Sequence, residues 1–537
     1  MMTLLASIGR PYVPGWGDLG PFATECWLTL TLVGVLLAPF FARRRNLACF
    51  VVAVAGLTVA LVALLWYGVP AGGGGTGPLR GIMVSDAFSM LWKAMLLIFT
   101  IGVALLWRST TAASMPEGDG PEFFTLLIGA TLGMSLMGST TNLLMIVMSV
   151  ELASLPSYVL AGFRKTHRLG AEASLKYVLF GAACSSVMIY GLTFLYGMYG
   201  TLELREIARQ MGQGVWPQPA LLAVAFFGLI VGLGFKIAAV PFHFWCPDVF
   251  EGAAVDVSAF LSVASKGAGL VLLLRVLLTF ADGLHYQAVQ PLTALAYAVG
   301  ILGAVTATAG NAAAFVQRNV KRLLAYSSIA HAGYVMCALS LIVDRNAAQT
   351  DAGSGMNQAA QAVLFYLAVY LFMNLGAFAV AGIVARATGS EDLAAFNGLV
   401  KRNPLLAHSM FACMVSFIGL PPFAGFVAKI NVLLVLMNNG GWWWGLVAAI
   451  AVNSIASAFY YFRVVRAMYL EPAGDRPAFA GNPIGVALAA TSAIALVLML
   501  VFASPVNSLT RHYARLRGVT GVRPAPTAAP AELARGK

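Results

Sequence analysis

Charge is what this sequence has least of. Only 10% of its 537 residues are Asp, Glu, Lys or Arg, whereas 60% are hydrophobic and the mean hydropathy is +0.82. Soluble domains carry roughly 25% charged residues, so the composition excludes an ordinary soluble protein. The net charge of +12 is spread over short segments between apolar runs, without interleaved aromatic residues. We therefore expect no nucleic-acid partner.

Cysteine is scarce as well, and the six that occur are far apart in the sequence. No Cys-x-x-Cys or Cys/His spacing occurs, which makes iron–sulfur, zinc and disulfide frameworks poor explanations of this chain. A glycine-rich phosphate loop and a nucleophile elbow are also missing. The sequence predicts a chain without a cofactor or metal of its own.

Apolar runs long enough to cross a hydrocarbon core of ~30 Å follow one another along most of the chain. They are continuously apolar rather than alternating, which predicts helices instead of a β-barrel. The sequence therefore predicts an all-α polytopic membrane protein. We count about fourteen spans, at 22–42, 47–69, 85–107, 122–138, 141–163, 171–199, 220–240, 254–280, 290–312, 321–343, 357–385, 405–437, 443–470 and 482–503.

Basic residues favour every second connection between these spans. They cluster at 43–45, 164–168, 318–322, 401–402 and 463–466. Cytoplasmic connections carry the excess of Lys and Arg in membrane proteins. This asymmetry predicts that both termini lie outside.

Two regions of the sequence resemble each other. V-G-L-G-F-K-I-A-A-V-P-F contains Lys236, and S-F-I-G-L-P-P-F-A-G-F-V-A-K-I-N contains Lys429. Paired spans interrupted by Gly and Pro are typical of inverted-repeat transporters. We predict that spans 7 and 12 are broken and that Lys236 and Lys429 correspond. The predicted organisation is spans 1–3 in 1–121, a first repeat of spans 4–8 in 122–280, a second, inverted repeat of spans 9–13 in 281–470, and the last span with a disordered basic tail, beginning near residue 504, in 471–537.

Ionisable side chains inside the spans are the candidate functional residues, since each costs ~2.5–3.5 kcal/mol at a helix centre. Glu151, Lys236, Lys266 and Lys429 lie well inside their spans, where function explains them best, and Lys176 lies nearer a span end. A carboxylate and several lysines can exchange protons if burial lowers the lysine pKa. Such a set, bridged by water and hydroxyl groups, predicts a proton relay.

Other polar residues have two explanations each. His331 lies in A-Y-S-S-I-A-H-A-G-Y, where it could line a polar path or be a hydrogen-bonded core histidine. His243, beyond Pro241, fits proton uptake or an interfacial position. Lys93 and Arg275 could be functional or structural. We expect Asp86, at a span end, to be interfacial.

Three blocks identify a family. F-K-I-A-A-V-P-F-H-F-W-C-P-D-V-F-E-G-A, V-S-A-F-L-S-V-A-S-K-G-A and N-V-K-R-L-L-A-Y-S-S-I-A-H-A-G-Y resemble the proton-conducting, antiporter-like membrane subunits of respiratory complex I. Lys429 favours the N type, because M-type subunits typically carry glutamate there. Ser265 departs from the pattern, since relatives often have proline before the lysine. The resemblance matches these residues to family positions on spans 5, 6, 7, 8 and 12: Glu151, Lys176, Lys236, Lys266 and Lys429.

The resemblance implies a membrane-arm subunit of a proton-pumping NADH-quinone oxidoreductase in a bacterial inner (plasma) membrane. NADH, FMN, iron–sulfur clusters and quinone would be bound by other subunits. The expected partners are other complex I membrane subunits, especially neighbouring antiporter-like and small ones, and the lipid bilayer. Two alternatives stay open: a subunit of a multi-subunit Na⁺/H⁺ antiporter, and a subunit of a related membrane-bound hydrogenase or ferredoxin-dependent complex.

Overall fold

A computed structural model of the chain describes residues 20–68, 82–164, 167–214, 218–283, 290–343, 354–474 and 476–514. In this part of the chain nearly all regular structure is helical, and β-pairing is limited to three isolated bridges. The predicted all-α class is confirmed.

Thirteen helices in the described residues are long and apolar enough to cross a membrane. Two shorter apolar helices, adjacent in the chain, complete a fourteenth span, so the predicted number is confirmed. Spans 1 to 6 are Ala23–Phe41, Arg45–Tyr67, Ala87–Thr110, Gly120–Met137, Leu143–Ala161 and Arg168–Tyr199. Span 7 is Pro219–Ile237 with Trp245–Gly252, and span 8 is Val255–Phe260, a π-helical turn at Leu261–Ser265, and Lys266–Gly283. Spans 9 to 14 are Gln290–Ala314, Val320–Leu339, Ser354–Thr388, Pro404–Ile418 with Ala424–Asn439, Trp443–Tyr469 and Pro483–Val501.

Many spans begin where the sequence supplies a polar cap or a proline. The Asn142 side chain accepts a hydrogen bond from the backbone N–H of Leu144, and Asp86 forms a capping box with Ser89. Such caps satisfy backbone donors that the first helical turn leaves free. Proline lacks this donor and is therefore well placed in the first turn, where it occurs in spans 4, 7, 12 and 14.

Small residues bring neighbouring spans into close contact. A Cβ atom at Gly133 of span 4 would lie 2.4 Å from the backbone nitrogen of Ala153 in span 5. A Cβ atom at Gly333 of span 10 would lie 2.5 Å from the backbone oxygen of Gly303 in span 9. Membrane helices associate by such close packing, since lipid gives them no hydrophobic drive to pair. Span pairs 4/5 and 9/10 therefore pack in the same way, with a glycine against the backbone of the neighbouring span.

Span 8 lies at the centre of the bundle. Span 8 is buried on all sides, and spans 10 and 11 are almost completely buried. Spans 1, 2 and 14, in contrast, expose much of their apolar surface. Polar groups on spans 8, 10 and 11 are therefore shielded from lipid.

Span 7 is broken, as predicted. Its first half ends at Ala238, the one non-glycine residue of the described chain with a positive φ, 62°. Pro241 follows, and its ring and missing N–H prevent the helix from continuing. The indole N–H of Trp245 donates to the backbone oxygen of Phe235 at 3.1 Å and ties the two halves together.

Span 12 is broken in a similar way. Its first half ends at Gly419, with φ 83°, and Pro421 follows. The backbone N–H of Gly425 donates to Ser416 Oγ at 3.1 Å, which connects the halves across the break. Both predicted breaks are therefore confirmed.

The chain continues as a helix, Ala503–Ala514, after span 14. The Asn507 side chain accepts hydrogen bonds from Gln361 at 3.3 Å and Asn431 at 2.9 Å, and the Arg511 Nε donates to Gln361 at 3.1 Å. The predicted disorder from about residue 504 is wrong for this segment, because contacts with spans 11 and 12, which composition does not reveal, hold it. The rest of the predicted disordered tail, 515–537, lies outside the described residues.

Candidate functional site

Lys236 is fully buried in the last turn before the break of span 7. Its Nζ donates to Ser154 Oγ on span 5 at 3.1 Å. The Ser154 hydroxyl itself donates to the Val150 carbonyl at 2.6 Å, which leaves an oxygen lone pair for the lysine. Glu151 lies one turn from Ser154, and its Oε1 is buried without a hydrogen-bond partner in the described residues. The structure thus brings Glu151 and Lys236 to one place, with Ser154 rather than Glu151 accepting the lysine's hydrogen bond.

Span 8 lies against the other side of Lys236. A Cβ atom at Gly269 would come within 3.3 Å of Lys236 Cγ, so the lysine's stem follows the helix where glycine leaves room. Gly269 is three residues after Lys266 in the sequence. Lys236 therefore contacts span 8 within one turn of Lys266.

Lys266 is also buried, directly after the π-helical turn Leu261–Ser265. Its Nζ donates to Ser328 Oγ on span 10 and to Cys246 Sγ at 3.1 Å. The amine also lies 5.1 Å from the centroid of the Phe250 ring, within the range of a cation–π contact. π-Helical turns occur often at functional sites, and this one ends at Ser265, where the sequence departs from the family pattern.

Span 10 carries a row of polar side chains away from Lys266. Ser328, His331 and Tyr334 are spaced three residues apart, which places them on one helix face. His331 is buried; its Nδ1 lies 2.5 Å from the Tyr366 hydroxyl and its Nε2 lies 3.2 Å from the Tyr461 hydroxyl. Both ring nitrogens of the imidazole therefore have a hydroxyl partner.

Lys429 lies at the far end of this row. It is buried, and its Nζ donates to the Ile418 carbonyl at 2.8 Å and to Ser454 Oγ at 3.2 Å. The Ile418 carbonyl belongs to the last turn before the break at Gly419, where helix carbonyls lack partners within the helix. The Lys429 amine is 5.0 Å from the centroid of the Tyr334 ring. Span 10 thus connects the surroundings of Lys266 to those of Lys429.

Lys236 and Lys429 flank their breaks from opposite sides along the chain. Lys236 comes two residues before Ala238, whereas Lys429 comes ten residues after Gly419. The two motifs therefore share their composition and their break, but the lysines do not align position by position along the chain.

The side chains of Lys176 and His243 have no hydrogen bond to this row in the described residues. The His243 backbone does lie near it, because its oxygen accepts from the N–H of Cys246 at 3.0 Å and Cys246 is a partner of Lys266. The Lys176 side chain is 39% exposed and forms ion pairs with Glu172 at 2.8 Å and Asp248 at 2.7 Å. His243 is partly buried between the two halves of span 7, and its Nδ1 has no hydrogen-bond partner in the described residues. Neither side chain forms a hydrogen bond or an ion pair with Lys236, Lys266 or Lys429 in the described residues, and the same holds for Glu151 and His331.

Two other intramembrane cations belong to buried ion pairs. Lys93 contacts Glu25 at 2.8 Å, and Arg275 binds both oxygens of Asp86 at 2.6 and 2.7 Å. Asp86 lies at the end of span 3, as expected, where it caps the helix; its side chain is only 4% exposed, because it also pairs with Arg275. In the residues that the structure describes, no group of three or more His, Cys, Asp or Glu side chains is arranged to hold a metal ion.

The hydroxyl partners were missed as individual site residues. Ser154 and Tyr461 are ordinary residues for a membrane helix, and only their distances to Lys236 and His331 distinguish them. The one sequence signal was the hydroxyl-rich segment around His331, which contains Ser327 and Ser328.

Comparisons with known proteins agree with this architecture. The family described as NADH:quinone oxidoreductase/Mrp antiporter, TM, matches residues 140–456, more than half of the chain. NADH-quinone oxidoreductase subunit N of Anaeromyxobacter sp. (strain Fw109-5) is 40% identical over 413 residues, which cover 73% of this chain and 76% of that protein. A chain of respiratory complex I from Thermus thermophilus is 31% identical with a TM-score of 0.71, covering 91% of this chain and 99% of that one. A chain of the Mrp complex from Dietzia sp. DQ12-45-1b has a TM-score of 0.76 at 20% identity, covering 92% and 97%, and shows a shared fold.

The family resemblance expected from the three sequence blocks is therefore confirmed. All three blocks, and the buried lysines Lys236, Lys266 and Lys429, lie inside the matched region. This chain belongs to the family of NADH:quinone oxidoreductase and Mrp antiporter transmembrane subunits.

Proposed function

We propose that this chain is an N-type membrane-arm subunit of a bacterial proton-pumping NADH-quinone oxidoreductase, which moves protons while other subunits oxidise NADH and reduce quinone. The observation that carries the proposal is the buried row that runs from Glu151 and Lys236 past Lys266 and His331 to Lys429. Such a row has no need of a redox group. It needs titratable groups linked by hydroxyls, in a region without lipid contact.

The row can pass protons in short steps. A change of charge near Glu151 alters the stability of the charged form of Lys236. A proton released by Lys236 can reach Lys266 along span 8, and Ser328 and His331 can carry it toward Lys429. Hydroxyl groups both donate and accept, and a neutral imidazole does the same through its two nitrogens. Lys176 and His243 would act only outside this row, at the access to it.

The partner surface we propose is the outer face of span 5. Leu144, Met148, Leu155 and Val159 are large, apolar and more than half exposed on the isolated chain, and Glu151 lies between them on the same helix. A neighbouring membrane subunit that covers this face would bring its own charges close to Glu151. That contact would couple this subunit to the rest of the complex.

The architecture fits two inverted repeats, spans 4–8 and 9–13. Supporting observations are the glycine-mediated pairs 4/5 and 9/10 and the breaks in spans 7 and 12. In the orientation that we propose, the basic connections face the cytoplasm and both termini lie outside the inner membrane.

The second candidate is a subunit of a multi-subunit Na⁺/H⁺ antiporter, which the family description includes. The likeness to the Mrp chain is at 20% identity, whereas the subunit N relative is 40% identical. Lysine at position 429 also favours the N type. Co-purification with flavin and iron–sulfur subunits would distinguish the two candidates.

The test of the proposed function is substitution in the assembled complex. Lys236→Ala and Glu151→Ala, measured in inverted membrane vesicles, should lower proton pumping and coupled quinone reduction by about 10²-fold or more, in the range of lost proton-transfer groups. Lys401→Ala is the matched control, because Lys401 is exposed between spans 11 and 12. Normal pumping in both Lys236→Ala and Glu151→Ala, with the subunit present, would overturn the mechanism.

A further inference from the structure

Asp256 is a buried carboxyl that the row of lysines does not use. It is the second residue of span 8, and its side chain has no exposed surface. The Thr111 hydroxyl donates to Asp256 Oδ1 at 2.5 Å. The other oxygen, Oδ2, has no hydrogen-bond partner in the part of the chain that the structure describes.

A buried carboxyl oxygen without a partner is costly, because its lost hydration is not replaced. The Thr111 hydrogen bond replaces the lost hydration of Oδ1 only. If Asp256 served only to hold Thr111, an amide or a second hydroxyl would do so without an acidic group in the bundle. The free oxygen therefore calls for a role that depends on the carboxyl itself.

A polar cavity of about 440 Å³ lies next to Asp256. Thr111, which bonds to the carboxyl, and Val255, its neighbour in the chain, both line the cavity. One water molecule needs only ~15 Å³, so the cavity has room for a cluster of waters. Its lining comes from the connections after spans 3, 5, 7, 9 and 11 and from the adjoining helix ends. Basic residues assign these connections to the cytoplasmic side.

Three other charged groups of this cavity are already engaged in ion pairs. Lys321 pairs with Glu391 at 2.7 Å and donates to the Ala253 carbonyl at 2.8 Å. Glu251 pairs with Arg322 at 2.6 Å.

The charges around the cavity can be counted from its lining. Arg386 donates to the Ser109 carbonyl at 2.7 Å, and Arg164 and His167 complete the titratable lining. With Lys321, the lining holds three cationic side chains of Lys or Arg and two anionic ones. An ionised Asp256 adds a third anionic group beside them.

Span 8 leads from Asp256 directly to Lys266. Lys266 comes ten residues after Asp256, which corresponds to ~15 Å along a helix, and the whole segment is buried. The Ser265 hydroxyl, adjacent to Lys266, is buried and has no hydrogen-bond partner in the described residues. It is placed to join a water chain that ends at the lysine.

We infer that Asp256 takes up protons from water in this cavity and passes them along span 8 toward Lys266. In each cycle the carboxylate accepts one proton from a hydronium ion on the cavity side. It then gives one proton to water on the Lys266 side, so Asp256 returns to its starting state. This inference rests on the proposed function and adds the uptake site to it.

Asp256→Asn and Asp256→Glu in the assembled complex test the inference. Asn keeps the size of the side chain and can still accept from Thr111, but it cannot carry a proton. We expect Asp256→Asn to lower proton pumping by up to about 10²-fold, the lower limit for a lost proton-transfer group, and Asp256→Glu to retain most of it. Normal pumping in Asp256→Asn, where Lys236→Ala abolishes pumping, would overturn this inference alone. Normal pumping in Lys236→Ala and Glu151→Ala would instead overturn the proposed function.

A second readout does not depend on pumping. Dicyclohexylcarbodiimide adds covalently to protonated carboxyl groups in apolar surroundings and can be located by mass spectrometry of the peptide containing residue 256. In the unmodified complex we expect labelling of Asp256 that increases as the pH falls. No labelling at any pH would overturn the inference even if Asp256→Asn failed to assemble. If Na⁺ at constant pH protected Asp256 from labelling, Asp256 would bind a metal cation rather than carry a proton. That result would overturn the inference as well.

Discussion

The Lys236 amine donates a hydrogen bond to the Ser154 hydroxyl at 3.1 Å, one helical turn from Glu151. The contact joins residues 82 positions apart in the sequence. The hydrogen-bond partner of the Lys236 amine is therefore Ser154, and the amine forms no direct ion pair with Glu151 in the described residues.

Ser154→Ala should therefore slow proton transfer without unfolding the subunit. The substitution removes the acceptor of the Lys236 hydrogen bond and leaves a buried amine short of one partner, which costs ~1–3 kcal/mol. We expect a several-fold loss of pumping, smaller than that of Lys236→Ala. Ser154→Thr keeps the hydroxyl and should retain activity. Equal pumping by Ser154→Ala and the parent, in vesicles with equal subunit content, would contradict the assignment.

Gly419→Ala should impair the second half of the row. Gly419 has φ 83°, and an added Cβ atom would lie 2.7 Å from Lys429 Cδ. Gly200→Ala is a matched control, because Gly200 is also left-handed, with φ 65° and ψ 15°, but nothing lies within 4 Å of its Cβ position. Both variants carry the ~1–2 kcal/mol strain of a left-handed alanine. Only Gly419→Ala should lower pumping strongly, and equal loss in the two variants would show that backbone strain alone is responsible.

Tyr461→Phe should interrupt the path at His331. The substitution keeps the ring, which stacks on Phe417, and removes the hydroxyl that contacts His331 Nε2 at 3.2 Å and Ser327 Oγ at 2.5 Å. We expect slower pumping, by roughly the 10²-fold lower limit of a lost proton-transfer group or less, since water can replace part of the path. Tyr297→Phe, at a partly exposed tyrosine, should have no effect. Unchanged pumping in Tyr461→Phe would show that this hydroxyl is not part of the proton path.

Arg275→Met should destabilise the subunit rather than slow pumping directly. It leaves the buried Asp86 carboxylate without its partner, and breaking such a pair costs ~3–5 kcal/mol. Thermal unfolding of the purified complex and subunit retention would measure the loss. The double variant Asp86→Leu with Arg275→Leu should recover part of it. Arg209→Met, in an exposed pair with Glu206, should change stability by less than about 1 kcal/mol.

The spans and their ionisable residues could be predicted because both depend on local properties. A run of apolar residues determines a membrane helix wherever it occurs, and a charge inside such a run is costly whatever surrounds it. Lys236, Lys266 and Lys429 were identified on this basis, and the structure buries all three. The same reasoning could not distinguish a buried lysine or arginine of a proton relay from one in a structural ion pair. The roles of Lys93 and Arg275 therefore stayed open until the structure showed their partners, Glu25 and Asp86.

The sequence by itself determined the membrane-spanning class, the number of spans, the two breaks and the family of this protein. Only the tertiary structure decided which groups meet. Lys266 reaches Ser328 across 62 positions and His331 reaches Tyr461 across 130, and Asp256 meets Thr111 across 145. Hydrogen bonds depend on the positions of atoms within a few ångströms, and helix packing fixes those positions. A serine that supports a buried lysine therefore has the same local sequence signal as one that bonds only to its own helix.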